Sequence, residues 1–578
     1  MKRKFTLAVA ALAASVLMPV TAGALANAQA QAPVQSSTLS GAILSAQVAE
    51  GDNDFKATID YYRQALGFDP GNKQFEQNLM IALLTDGQFD EALPYAEKLK
   101  TVPEIERVSR VALAIDSIRK KDWAEAENLL KLALQSDLDR LITGLMTGWV
   151  KLGAGDGKEG AAQIAALKGP EWYDLFKAIH KALVLDGSGD KAAALEAYEA
   201  AASSTDAASA PDAWLRLIES FARFHAKDGK TKEALAVIER GFEIAPERPS
   251  LLALKKDIEA GKPVTAMLAD AQMGAAEVLF GLGSAVRRDG SEGFALMYLQ
   301  LALAADPASD VTLIQLAGVA ENQERQGEAI AFYDKIAPGS AFRRGADLQS
   351  GLNLADLDKK DDAVKVLTAL IDKEPADTRA YLALGGVHAT AKDYKSAADV
   401  YERAVKSIGK PDRADWNLFY QRGIANERTK NWDVAEASFK EALKLYPDQP
   451  QVLNYLGYSW VDMNKNLDEA LGMIRKAVEI RPDDGYIVDS LGWAYYRLGR
   501  FDEAASELEK AISLRPEDAT INDHLGDAYW RVGRKLEARF QWQHALDAKS
   551  DDVDNGKIKA KLAATEPVVA EAISDKKG

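Results

Sequence analysis

Leu456-Gly457-Tyr458-Ser459-Trp460 is followed by Leu491-Gly492-Trp493-Ala494-Tyr495 and then by Leu525-Gly526-Asp527-Ala528-Tyr529. Behind each comes an alanine, at Ala470, Ala504 and Ala538, and these three are spaced 34 residues apart. A second set, Ala477, Ala511 and Ala545, keeps the same interval. Such a period holds two short helices and their turns. Two helices approach closely only where small residues meet, which places Gly457 against Ala470 and Gly492 against Ala504. Trp460, Tyr495 and Leu508 fill the space beside each contact. Pro482 and Pro516 lack an amide hydrogen and stop the second helix of their pairs. The stretch therefore predicts an all-α solenoid of stacked helix hairpins.

Working outward, the small residue near the start of each second helix can be traced back along the chain. It falls at Thr58, Ala92, Ala126, Gly160, Ala194 and Ala234, then at Ala295, Ala329, Ala363, Ala397 and Ala435, before the three clear copies. This gives about 14 units in two arrays, an N-terminal one over 42–249 and a C-terminal one over 274–555. Residues 250–273 fall outside the register and read as an irregular joint, with a capped helix from Ser250 to Ala260 ended by Gly261 and Pro263. Ser203 through Pro211 and Ser407 through Pro411 read as loops holding the extra residues of their intervals. Residues 556–578 form a C-terminal tail, charged and alanine-rich after about Ala564 and expected to fray.

Lys2, Arg3 and Lys4 precede an apolar stretch from Phe5 to Val20, the pattern of a secretory signal over residues 1–30 with cleavage near Ala26 to Ala30. Residues 31–41 read as a flexible leader. No other stretch is apolar enough to span a membrane. The sequence has no cysteine, which excludes disulfides, thiol catalysis and the lipid-bearing cysteine of a lipoprotein. From residue 31 onward the chain carries 68 Lys plus Arg against 87 Asp plus Glu, a net charge of −19. That balance argues against a nucleic acid partner and against adsorption to anionic lipid.

Sites for chemistry are sparse. His180, His225, His388, His524 and His544 show no metal-ligand spacing, and each reads as a surface or hydrogen-bonded core histidine. Gly281-Leu282-Gly283 follows no strand, and Gly153 to Lys158 lacks the hydroxyl residue of a phosphate loop. No nucleophile elbow occurs, and Asp186 to Asp190 lacks the later Gly and Glu of a calcium loop. The irregular stretch 242–275 offers Glu243, Glu247, Asp257, Glu259 and Asp270 but no His or Cys, too little for acid–base work. No catalytic residue, metal site or cofactor is expected.

The period and the order Leu-Gly, aromatic, Ala, Pro resemble the tetratricopeptide repeat. That resemblance implies a right-handed superhelix whose first helices line a concave groove for extended peptides or partner helices. Helical spacing from the Leu-Gly anchors then puts Asn454, Tyr458, Asp489, Trp493, Tyr496, Asp523, Asp527 and Trp530 on or near that groove. Aromatic rings beside carboxylates make a surface suited to peptide binding. Asn454-Tyr455-Leu456-Gly457-Tyr458, Val488-Asp489-Ser490-Leu491-Gly492-Trp493 and Asn522-Asp523-His524-Leu525-Gly526-Asp527 are further similar to a group of proteobacterial envelope proteins. That group includes the lipoprotein partner of a carboxyl-terminal processing protease. It implies a non-catalytic periplasmic adaptor presenting envelope proteins to a protease or cell-wall enzyme, although this chain lacks the lipid-bearing cysteine. A scaffold for polysaccharide synthesis and export, or for outer-membrane assembly, would use the same groove for other clients.

Overall fold

The computed structural model describes residues 35–131, 136–203, 210–286, 292–550 and 553–572. The signal segment 1–30 and most of the loop between Ser203 and Pro211 lie outside the described residues. Thirty α-helices and no strand occur among those described. The small residues of the 34-residue register each stand fourth in their helix. Thr58 does so in Phe55–Phe68, Ala363 in Lys360–Lys373 and Ala538 in Lys535–Asp547. Their side chains are fully covered. A Cβ on Gly457 would stand 2.9 Å from the Ala470 carbonyl oxygen, so the first and second helices of that pair touch through backbone.

Capping follows the same register. Asp484 accepts from the Tyr486 and Ile487 amides, and Asp518 accepts from the Ile521 amide. Each carboxylate ties down donors left free at the start of a first helix. The turn inside a pair places a residue in the left-handed region, Gly499 and Gly533 in the last two complete pairs, Lys392 and Lys430 in two earlier ones, and both Asn464 and Asn466 in the pair between.

The chain divides into two compact units. The first comprises residues 1–325 and 335–342, the second residues 326–334 and 343–578.

In the first unit, hairpins from Leu39–Gly51 to Thr231–Ile244 stack in sequence, and Pro249–Glu259 follows. Helices Ala271–Val286 and Glu292–Ala305 then depart from the expected stacking. They keep the register, with Ala295 in its place, yet they pack against the first helices of earlier pairs instead of extending the stack. Every residue from 274 to 284 is buried, as is every residue from 295 to 302. A helix with no continuous polar face must be covered on all sides, with any isolated charge paired, and the inner helices of the unit supply that cover. Gly274 lies so close to the indole of Trp149, in Asp137–Gly153, that a Cβ would stand 2.1 Å from it. Arg216, in Pro211–Lys227, holds Glu277 through two bonds, Nε to Oε1 at 2.9 Å and Nη2 to Oε2 at 2.6 Å.

The second unit is the regular one. Hairpins from Arg343–Asp356 with Lys360–Lys373 to Ala519–Arg531 with Lys535–Asp547 stack in order, and Asn555–Ala563 closes the end. Its main core runs from Phe419 to Ile558 through Trp460, Ile474, Leu508 and Trp542. The tail, expected to fray, is instead packed as far as residue 572, with Ala572 fully covered.

Candidate functional site

The first helices Pro450–Asp462, Gly485–Arg497 and Ala519–Arg531 carry all eight groove residues anticipated from spacing. Asp489, Trp493 and Tyr496 recur at intervals of four and three, so they share one helix face. The repeat places Asp523 and Asp527 at the matching points of the next unit.

The structure groups these residues into two clusters. In the first, the Trp493 ring lies flat between Tyr496, with centroids 4.8 Å apart, and His524, at 3.9 Å. His524 Nδ1 is 3.0 Å from Asp489 Oδ1. Burial lowers the His524 pKa, but the carboxylate of Asp489, helped by Asp523 and Asp527, outweighs it and leaves the pKa raised. Tyr458 stands near the same carboxylate. Burial first, then Asp489 and Asp462, hold its phenol above the usual range against the pull of Arg497. Asn454 is half-buried, and its Oδ1 has no hydrogen-bond partner.

The second cluster is centred on Asp527. Its Oδ1 accepts from Trp542 Nε1 at 3.0 Å and from Lys561 Nζ at 2.6 Å, while Asp523 accepts from the same ammonium at 2.7 Å. Its Oδ2 accepts from the backbone N–H of Ala570 at 3.0 Å. The carbonyl of Ala570 accepts from Tyr496 Oη at 2.5 Å and from Arg531 Nη2 at 3.1 Å. One residue of the tail is thus gripped by both of its backbone groups. Trp530 turns away from this grip. Its ring packs against Trp542, with Lys535 4.7 Å and Arg539 5.8 Å from its centroid.

Spacing placed Asp489, Trp493, Tyr496, Asp527 and Trp530 alike on the groove; the structure gathers the first four into the two clusters and packs Trp530 on Trp542 instead. It missed Arg531, Trp542, Lys561 and the tail itself. Arg531 reads as an ordinary last-turn cation, and Lys561 as one of several surface lysines. The signal that could have found the tail is Pro567-Val568-Val569-Ala570, an uncharged run inside a charged segment.

The remaining histidines are accounted for locally. His180 accepts from Trp149 Nε1 at 3.1 Å, His225 packs on Phe221 and Phe224, His388 lies 3.2 Å from Asp393, and His544 packs on Phe540. Among the described residues no group of three or more His, Asp or Glu could hold a metal ion, and no helix is long and apolar enough to cross a membrane. The first unit also contains a cavity of about 920 Å³, lined by Phe55, Ile81, Ile105, Arg107, Asp139 and Met297 among others.

Comparison with known proteins bears on the repeats directly. A family model described as tetratricopeptide repeat matches residues 348–414 and 420–485, and one described as TPR repeat matches residues 492–533. These units are tetratricopeptide repeats. The fold is accordingly an all-α tetratricopeptide-repeat fold, a type that typically works by binding other proteins and not by catalysis. The human protein O-mannosyl-transferase TMTC1 is 23% identical over 176 residues, 30% of this chain. The match spans 20% of that relative's own length. Among solved structures, the Cut9–Hcn1 hetero-tetramer of the APC/C superposes with a TM-score of 0.37 at 13% identity, covering 92% of this chain and 97% of that one. MamA from AMB-1 gives a TM-score of 0.25 at 27% identity, covering 29% of this chain and 97% of its own.

Proposed function

We propose that this chain is a non-catalytic protein-binding scaffold of the bacterial periplasm, an adaptor that presents envelope proteins to a carboxyl-terminal processing protease or a cell-wall enzyme. The observation that carries the binding role is the grip on Ala570. The first helices of the last two repeats hold a stretch of polypeptide by its main chain. The basic and then apolar N-terminus supports export, and the Asn-Tyr-Leu-Gly and Val-Asp-Ser-Leu-Gly motifs support the link to envelope adaptors.

The test is a pull-down from envelope extract with the chain from residue 31 as bait, read by mass spectrometry. Recovery of a processing protease, reduced when Trp493 is changed to Ala, supports the adaptor. Recovery of polysaccharide-export or outer-membrane-assembly proteins instead would transfer the same scaffold to those clients. Recovery of neither class, with the wild-type bait folded, sinks the envelope reading.

A further inference from the structure

The tail leaves Asn555–Ala563 in extended backbone at Ala564 (φ −80°, ψ 143°). Beyond it, Pro567 and Ala572 are buried, Val569 and Ala570 are half-buried, and Val568 and Glu571 face outward, Val568 at 89% exposure. The covered positions are therefore a proline, a small pair of half-covered residues and a second small residue two places further on. The polar bonds described above all go to the main chain of Ala570, from Asp527 on one side and from Tyr496 and Arg531 on the other. The bonds to Ala570 read no tail side chain, so any chain of the same shape would satisfy them; the tail side chain that is bonded, Glu566 to Lys535 at 3.2 Å, forms an exposed surface pair. The anchor of the preceding helix shares only Asp527 with this grip, through the other carboxylate oxygen. Lys561 is held by Asp523 and Asp527, and Arg539 donates to the carbonyls of Leu562 and Ala564, each at 2.6 Å. Residues 565–572 can consequently leave while Asn555–Ala563 stays.

We propose that the surface made by Tyr496, Asp527 and Arg531 is a binding site for an extended, largely uncharged segment of a partner protein with small residues two apart, and that residues 565–572 are its built-in occupant. The inference rests on the protein-binding reading and adds the chemistry of the segment that is read. A carboxylate that accepts an N–H, beside a phenol and a guanidinium that donate to the carbonyl of the same residue, would recognise the two peptide groups flanking one residue, in one chain direction. Proline is excluded at the gripped position because it has no N–H to offer Asp527. Large side chains are excluded two places later, where Ala572 has no exposed surface. Tethering gives the tail a local concentration in the millimolar range, so a free segment competes only when it binds better or is itself delivered at high local concentration.

The experiment uses the full chain and a fluorescent peptide with the sequence of residues 563–572, followed by anisotropy. In one variant Ala570→Pro removes the gripped N–H from the chain's own tail. In a second, a specific protease cleaves after Ala564 once the chain has folded, so that the tail is released with every site residue unchanged. The peptide is expected to bind both altered chains, and to bind the wild-type chain at least about tenfold more weakly because the tethered tail competes. A peptide carrying the same Ala570→Pro change should not bind. Absence of binding to either altered chain, with helix content intact by circular dichroism, would overturn the proposal and make the tail a fixed structural cap. Equal binding to wild-type and altered chains would also overturn it, because the peptide would then sit elsewhere. If the peptide fails while the envelope pull-down still recovers a partner, the scaffold reading survives and only this site is lost.

Discussion

His180 has no exposed side-chain surface to speak of, and its Nδ1 must be unprotonated to accept from the Trp149 indole. Burial pushes its pKa down to about 4, opposed only by the charge of Glu277. In the unfolded chain the same ring takes up a proton near pH 6.5. Stability is therefore fully present above pH 6.5 and is lost as pH falls toward 4, by about 3 kcal/mol when the interval has been crossed. His180→Gln keeps an acceptor for Trp149 without a titrating ring. Thermal melts of the first unit between pH 6.5 and 4.5 should fall more steeply for the wild type than for this variant. Equal slopes would show that other groups carry the acid sensitivity. His524 has the opposite sign. Its raised pKa gives a contribution that is present at low pH and fades as pH rises through the folded value.

At the scale of elements, the pair Ala271–Val286 and Glu292–Ala305 is held by one buried charge pair and one close contact. Glu277→Ala would leave the Arg216 guanidinium, 11% exposed, with the more distant Glu219 carboxylate at 4.0 Å and the charge of Asp306. Removing one partner of a buried pair costs about 3 kcal/mol or more. Hydrogen exchange should then quicken across both helices and across the inner helices they cover, with no change in 343–550. Protection unaltered by Glu277→Ala would mean that apolar contact alone seats the pair.

Much of this level can be read from the sequence. The position of Ala470, Ala504 and Ala538 predicts where each second helix begins, because small residues are required wherever two backbones touch. Spacing of four places Asp489 with Trp493 and Asp523 with Asp527 for the same local reason. The register reports only which helix follows which, however. It cannot say that Ala271–Val286 and Glu292–Ala305 turn inward, although the lack of a continuous polar face on those helices is the physical cause and is visible in their residues. Nor can it join Tyr496 to Ala570, which lie 74 residues apart. That contact depends on the path of the chain after the last helix, and no periodicity encodes it.

At the scale of the molecule, the second unit has the neighbour-to-neighbour construction from which local failure follows. Ala504 is fully covered at the start of Phe501–Leu514, and Ala504→Trp would overfill that crossing. Hydrogen exchange should show the repeats from about 485 to 547 opening while the first unit keeps its protection, because stability in a stack passes only between adjacent repeats. Loss of all helix in one transition would contradict this.

The inward turn of Ala271–Val286 and Glu292–Ala305 gives the first unit a different history. Its inner helices leave the ribosome well before the segment that covers them, and Trp149 must wait for Gly274. A stack can otherwise grow one hairpin at a time. Here a late segment covers helices made long before it, joining residues separated by more than a hundred positions, such as Trp149 and Gly274, which raises contact order and slows folding. Until that closure the inner apolar faces are open to anything else that is apolar, so the nascent first unit is the part of this chain with most need of a chaperone.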